Sequence, residues 1–258
     1  MSDTFVDPYA RSEVEALWRP REETPREIAN RVIRMHADFV KIDPLLRDWF
    51  VWEGENWREQ DWRVPLELYR PGDLARTVDR NVARNDLNTD VPEYGYELHL
   101  SCESFLYSVS VRAGSAVRDN GVTFSFAWEK SISEMPVSPA VVKSLFIAMA
   151  SNWDATYAVV DRLDRVKYED STIPWQFQSG APKFGTGRMV YLAAPLARLC
   201  TPSLGIRAER QPDGALLMIA ADEPIDETNP DHNAAMEAIF QTMAPLNALP
   251  WPIHLHRL

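Results

Sequence analysis

The 258-residue chain is 45% hydrophobic and carries 38 acidic against 27 basic residues, a net charge of -11. That apolar content is enough to bury a substantial core. The acidic excess argues against a nucleic-acid binder, which attracts phosphate with Lys and Arg, and suits a basic protein partner instead. Cys102 and Cys200 give no disulfide framework, the N-terminus MSDTFVDPYARSEVEALW lacks the apolar core of a signal peptide, and no run is long enough to span a bilayer. The expected setting is the cytoplasm, with no membrane and no direct nucleic-acid contact.

Residues 1–23 are mixed and charged and read as an N-terminal extension, with Leu17 and Trp18 available to anchor it. Residues 24–258 read as a single two-lobed domain. Thr24-Pro25-Arg26-Glu27 predicts a helix start, with a Thr cap, Pro at the first position and Glu completing a capping box. Ile28, Val32, Met35 and Phe39 line one face of that helix, and Asp43-Pro44 stops it. A short strand is expected at Trp49–Trp52. Trp49, Trp52, Trp57 and Trp62 alternate with Glu53, Glu55, Glu59 and Asp61. Tryptophans usually mean core, but acids between them suggest a partly exposed rim of the kind interfaces have. A second helix is expected from Asp73, with Leu74, Val78 and Val82 on one face.

Three segments then alternate with period two: Tyr94, Tyr96, Leu98 and Leu100; Phe105, Tyr107, Val109 and Val111; Val122, Phe124, Phe126 and Trp128. Asn120-Gly121 reads as a turn before the third. Small polar residues on the opposite face predict an antiparallel meander covered on one side by helix. Ser138-Pro139 starts such a helix, bearing Val142, Leu145, Phe146 and Met149. A strand is expected over residues 156–161, a loop with the aromatics Trp175 and Phe177 over 162–188, a strand over 189–193 and a short helix over 195–200. A hairpin over 205–210 and 215–220 then leads into an acidic loop with Asp222, Glu223, Asp226, Glu227 and Asp231. Asn229-Pro230 opens a last helix carrying Met236, Ile239, Phe240 and Met243. Strands and helices mix without a βαβ rhythm. The fold class is therefore α+β, a meander sheet and a further hairpin sheet covered by amphipathic helices.

No pattern carries chemistry. His254 and His256 lack the third ligand a zinc site needs, and His36 falls off the apolar stripe of its helix. Glu97, His99 and Glu103 belong to the polar face of a sheet. Gly185-Thr186-Gly187-Arg188 lacks the remaining residues of a dinucleotide or phosphate loop and reads as a flexible turn, and no G-x-S-x-G elbow occurs. No catalytic residue, metal site or cofactor is expected. The acidic loop has two readings: charge that favours the helix start after it, or a surface for a basic partner.

TPREIANRVIRMHADFVKIDPLLRDWFVWEG, TGRMVYLAAPLARL and GALLMIAADEPIDETNPDHNAAM resemble, in order, blocks of the bacterial immunity protein 52 family. The resemblance implies a non-enzymatic antidote to a toxin delivered by contact-dependent or type VI secretion, often of restriction-endonuclease type. A nuclease is basic where it meets DNA, so the charge agrees in sign. The family offers no binding motif to transfer. Charge and aromatic placement alone put Asp222, Glu223, Asp226, Glu227, Glu53, Glu55, Trp57 and Trp175 forward as toxin contacts. The alternatives are an enzyme with a site near the 175–188 loop or near Glu97 and His99, and a structural or scaffolding module.

Overall fold

A computed structural model describes residues 11–52, 63–85, 87–102, 107–127, 138–161, 184–226 and 228–248. The chain divides into two compact units, Met1–Thr156 and Tyr157–Leu258. Antiparallel strands and helices mix in both, the α+β class expected from the sequence. No helix among the described residues is long and apolar enough to cross a membrane.

Among its described residues the first unit has six strands: β1 (Arg11–Trp18), β2 (Trp49–Trp52), β3 (Arg63–Pro65), β4 (Tyr96–Cys102), β5 (Tyr107–Ala113) and β6 (Asn120–Ala127). They lie in the order β3-β2-β4-β5-β6-β1, each neighbour antiparallel. The expected meander is β4 to β6. Its register puts Leu98 beside Val111 and Val122, and Leu100 beside Val109 and Phe124, on one buried face. The other face carries Glu97 beside Arg112, His99 beside Ser110 and Thr123, and Ser101 beside Ser108 and Ser125. Side chains of a strand point alternately up and down, so this register separates the apolar from the polar set.

Residues 11–18, read from the sequence only as extension, form β1 against β6. Val14, Ala16 and Trp18 continue the buried face, while Glu13 and Glu15 continue the polar one. Asn120-Gly121 is not a turn but the start of β6. The buried Asn120 side chain donates to the Arg19 carbonyl at 2.8 Å and accepts from the Ser115 N–H at 2.8 Å. It thereby closes the 114–119 connection from within, a tertiary use of an amide that a local turn rule does not anticipate.

Helices α1 (Pro25–Ile42), α2 (Pro71–Arg80) and α3 (Pro139–Asn152) belong to this unit. The capping box at α1 forms as expected: Thr24 Oγ1 accepts from the Glu27 N–H, and Glu27 Oε2 accepts from the Thr24 N–H at 2.7 Å. α2 begins two residues before Asp73, because Pro71 takes the first helical position. Aromatic side chains fix helix to sheet. Phe39 of α1 meets Phe124 edge-on with centroids 5.5 Å apart, and Trp153, just past α3, stacks on Trp18 of β1 at 4.8 Å. Each such ring, fully buried, contributes about 1.5–3 kcal/mol of transfer free energy.

The second unit holds β7 (Tyr157–Val160), β8 (Met189–Leu192), β9 (Arg207–Arg210) and β10 (Leu216–Ile219), in the order β7-β8-β10-β9 and antiparallel throughout. Every residue of β7, β8 and β10 is buried, so these strands are apolar on both sides and read as short continuous runs. Helix α4 (Ala194–Ala197) is one turn long. α5 (Pro230–Asn247) starts with Asn229 as cap, its side chain accepting from the Asp231 N–H. Its buried stripe runs through His232, Ala235, Met236, Ile239, Thr242, Met243 and Leu246. Phe240, assigned to that stripe from spacing, is only half-buried.

Candidate functional site

The acidic loop leaves β10 with its backbone fixed: the Ala220 N–H donates to the Arg188 carbonyl at 2.8 Å. The Asp222 carboxylate takes both terminal nitrogens of Arg207, Nη1 at 2.9 Å, in a two-pronged pair with both side chains about half exposed. The Asp222 carbonyl accepts from Arg188 Nη1 at 3.0 Å. Asp226 Oδ1 accepts both the N–H and the hydroxyl of Thr228, at 2.8 and 2.7 Å. The Thr228 hydroxyl first, and its N–H second, hold the Asp226 carboxyl below the usual carboxylate range.

His232 joins the two ends of the loop. Its Nδ1 accepts the Asp226 N–H at 3.0 Å, which leaves the ring proton on Nε2, 3.3 Å from Glu223 Oε1. The Glu223 side chain is 64% exposed, that of His232 11%. The loop is therefore a fixed arrangement of surface carboxylates and not a floppy run of charge. Asp222 and Asp226 already serve the loop, and the Glu223 carboxylate is more open than that of Asp222. Such groups accept hydrogen bonds from a cationic partner. Among the described residues no grouping of three or more His, Cys, Asp or Glu could hold a metal ion.

Glu227, Glu53, Glu55, Trp57 and Trp175 lie outside the described residues, as do Glu103, His254 and His256. Of the remaining tryptophans in the acidic stretch, Trp49 is core, its Nε1 donating to the Leu46 carbonyl at 2.6 Å. Trp52 is half-buried and donates to Ser101 Oγ at 2.8 Å. Glu97 and His99 lie on the polar sheet face beside Arg112 and Ser110, as the alternation predicts. His36 is half-buried rather than superficial. Its Nε2 lies 2.8 Å from the Arg47 carbonyl, and burial pushes its pKa down.

The Gly185–Arg188 segment departs from its sequence reading. It is buried throughout rather than a flexible turn. Tyr157 donates its hydroxyl to the Gly185 carbonyl at 2.6 Å, and a Cβ on Gly187 would run into Val159 Cγ2 and the Val160 carbonyl. Glycine at 187 marks close backbone approach. Arg188, fully buried, puts Nε 2.7 Å from Asp161 Oδ2, and its Nη2 has no hydrogen-bond partner among the described residues. Burial lowers the Arg188 pKa, opposed mainly by the Asp161 carboxylate. Cys200 is likewise buried, which pushes its thiol up to about 11 and keeps it out of reactive chemistry.

One cluster has no counterpart in the sequence reading. Glu23, its side chain 4% exposed, accepts from Arg21 at 3.0 Å and from Arg31 at 2.8 Å. Both guanidiniums also reach Asp154 Oδ2, at 3.5 and 2.9 Å, and Arg31 donates to the Asn152 carbonyl at 2.6 Å. The two arginines sit 5.9 and 6.0 Å from the ring centroids of Trp18 and Trp153 respectively, so the aromatic stack and the ion network share one corner. The short spacing of Arg21, Glu23, Glu27 and Arg31 was visible in the sequence. Their convergence on Asp154 was not, because it depends on where α3 ends.

A family model described as Immunity protein 52 matches residues 12–245. The structure is also similar to that of the Pseudomonas aeruginosa T6SS protein PA0821, at 9% sequence identity and a TM-score of 0.46, over 89% of this chain and 72% of that one. No curated protein matches the sequence.

Proposed function

The chain belongs to the immunity protein 52 family, and on that premise we propose that it binds and neutralises a cognate secreted bacterial toxin by covering it, without catalysis, in the cytoplasm of the cell it protects. The match over residues 12–245 carries the reading, and it runs through both compact units. The toxin is proposed to be a nuclease with a basic substrate-binding surface, delivered by type VI or contact-dependent secretion. The net charge of -11 supports that choice, since opposite charge steers association and raises its rate by roughly ten- to a thousandfold. Tight occlusion needs an interface of about 1,200–2,000 Å².

The acidic loop supports the same reading: Asp222, Asp226 and Glu223 are held by Arg207, Thr228 and His232 respectively, so less side-chain freedom remains to be lost on binding. Co-expression with the toxin encoded by the neighbouring gene should restore growth, and failure to restore it would sink the proposal. Within the loop, Glu223→Lys is the mildest reversal: it gives up the 3.3 Å contact with His232, whereas Asp222 and Asp226 each accept two shorter hydrogen bonds. It should slow association by about threefold to tenfold at low salt and little at high salt. Unchanged association kinetics in stopped-flow measurements would remove the loop from the interface.

A further inference from the structure

One hydrogen bond that closes the acidic loop can be made only by a neutral imidazole. The Asp226 N–H donates and cannot accept, so Nδ1 of His232, 3.0 Å away, is the ring nitrogen without a proton. We propose that proton uptake by His232 opens this loop and weakens its hold on the cognate toxin, so that toxin binding falls as the pH falls. The inference rests on the immunity reading, with the loop as a contact surface. A second proton on the ring has only Nδ1 to go to, where it would set N–H against N–H across 3.0 Å. The ring and the Asp226 amide must then part. His232 is buried on the inner stripe of α5, whereas Asp222, Glu223, Asp226 and Thr228 are exposed, so the loop is the side that gives way.

The charged groups around the ring, among the described residues, fix the direction for a basic partner. Glu223 Oε1 lies 3.3 Å from Nε2, the Asp226 carboxylate is close enough to feel the ring, and Asp231 precedes it in the first turn of α5. Arg188 holds the Asp222 carbonyl and lies within electrostatic reach of Glu223. An imidazolium here pairs with the Glu223 carboxylate and cancels part of the negative charge the loop offers. Opening and neutralisation therefore act in the same direction, against a cationic partner. The other ties of the loop are the Arg207 guanidinium on Asp222 and the Thr228 hydroxyl on Asp226, and neither changes charge near neutral pH. Protonation of one buried ring thus acts on a loop whose remaining ties stay constant, the arrangement a pH-sensitive contact requires.

The test follows the nitrogen-labelled full chain by NMR from about pH 8 to about pH 5, the range in which imidazoles titrate. Beside it runs His232→Asn, whose Oδ1 can accept the Asp226 N–H in place of Nδ1 and takes up no proton. In the wild type the ring should carry its proton on Nε2 alone at the upper end. The Asp226 amide should then shift and lose exchange protection in step with ring protonation, and in His232→Asn it should hold still. A proton on Nδ1 at the upper end, a ring that takes up no second proton, or a titrating ring with an unmoved Asp226 amide each overturn the latch. The wild-type titration decides this alone should His232→Asn not fold. Wild-type affinity for the toxin domain encoded by the neighbouring gene should fall about fivefold or more over the same range, and that of His232→Asn much less. Equal pH dependence in the two proteins overturns proton-linked binding. No binding of that toxin domain at any pH refutes the immunity reading, and the affinity half of the inference with it, while the Asp226 amide still decides the latch.

Discussion

In the first unit Glu23 sits between Arg21 and Arg31 at a corner of the helix layer, with Asp154 exposed beside it. In the second, Arg188 lies fully buried next to strands that are apolar on both sides. The first arrangement shares charge among four groups and lets water screen part of it. The second gives one cation, among the described residues, the Asp161 carboxylate and the Asp222 carbonyl as its hydrogen-bonding partners. A shared, half-wet network tolerates loss of a member, whereas a buried ion leaves its partner stranded. The sheet layers differ in the same sense: three strands of the first unit sort apolar from polar side chains face by face, while three of the second bury both.

Arg188→Met should expose that difference most sharply. It takes the buried guanidinium away from the Asp161 carboxylate and should cost about 3 kcal/mol in urea unfolding. Pairing it with Asp161→Leu should recover much of the loss, and a double variant no better than the single one would refute the buried-pair account. Arg31→Met removes one of two guanidiniums from Glu23 and should cost only about 1 kcal/mol, because Arg21 remains and Asp154 is solvated. An equal cost for the two substitutions would erase the contrast.

The smallest effect is one the units share. Thr24, through its N–H first, holds the Glu27 carboxyl below the usual carboxylate range, as Thr228 holds that of Asp226. Both folded pKa values are depressed, so this stabilisation is present above the unfolded carboxylate pKa of about 4 and is lost as the pH falls through the folded values. Through these two carboxylates the urea midpoint should decline below about pH 4, while His36, whose folded pKa burial lowers, adds its own loss as the pH falls below its unfolded value of about 6.5. Thr24→Ala and Thr228→Ala should each make that acid limb shallower.

The meander was legible because Leu98, Leu100, Val109, Val111, Val122 and Phe124 alternate with polar residues, and a strand has period two. The start of α1 was legible because a capping box is local. β1 was harder: Ser12, Val14, Ala16 and Trp18 also alternate, but two of the four inward residues are small, and β6, which pairs with them, lies a hundred residues away. The Gly187–Arg188 pair was misread because nothing local separates a glycine that bends from one that admits a neighbouring strand. The candidate site divides the same way. The acids of 222–226 could be seen in the sequence, but their partners Arg207 and His232 come from β9 and α5. Glu23 fell in the charged N-terminal extension, and nothing local showed that Arg21 and Arg31 would join it to Asp154, past the end of α3.

One outer strand of each unit has a further consequence. β3 is three residues long and ends in Pro65, which has no N–H to offer a new strand, and β9 reads Arg207, Ala208, Glu209, Arg210. A strand edge with free backbone groups invites another copy to add to it, and a short proline-ended strand or a row of long charged side chains discourages this. These two strands are thus protected against chain-to-chain polymerisation. The chain can accumulate with neither of these two strands serving as a template for aggregation.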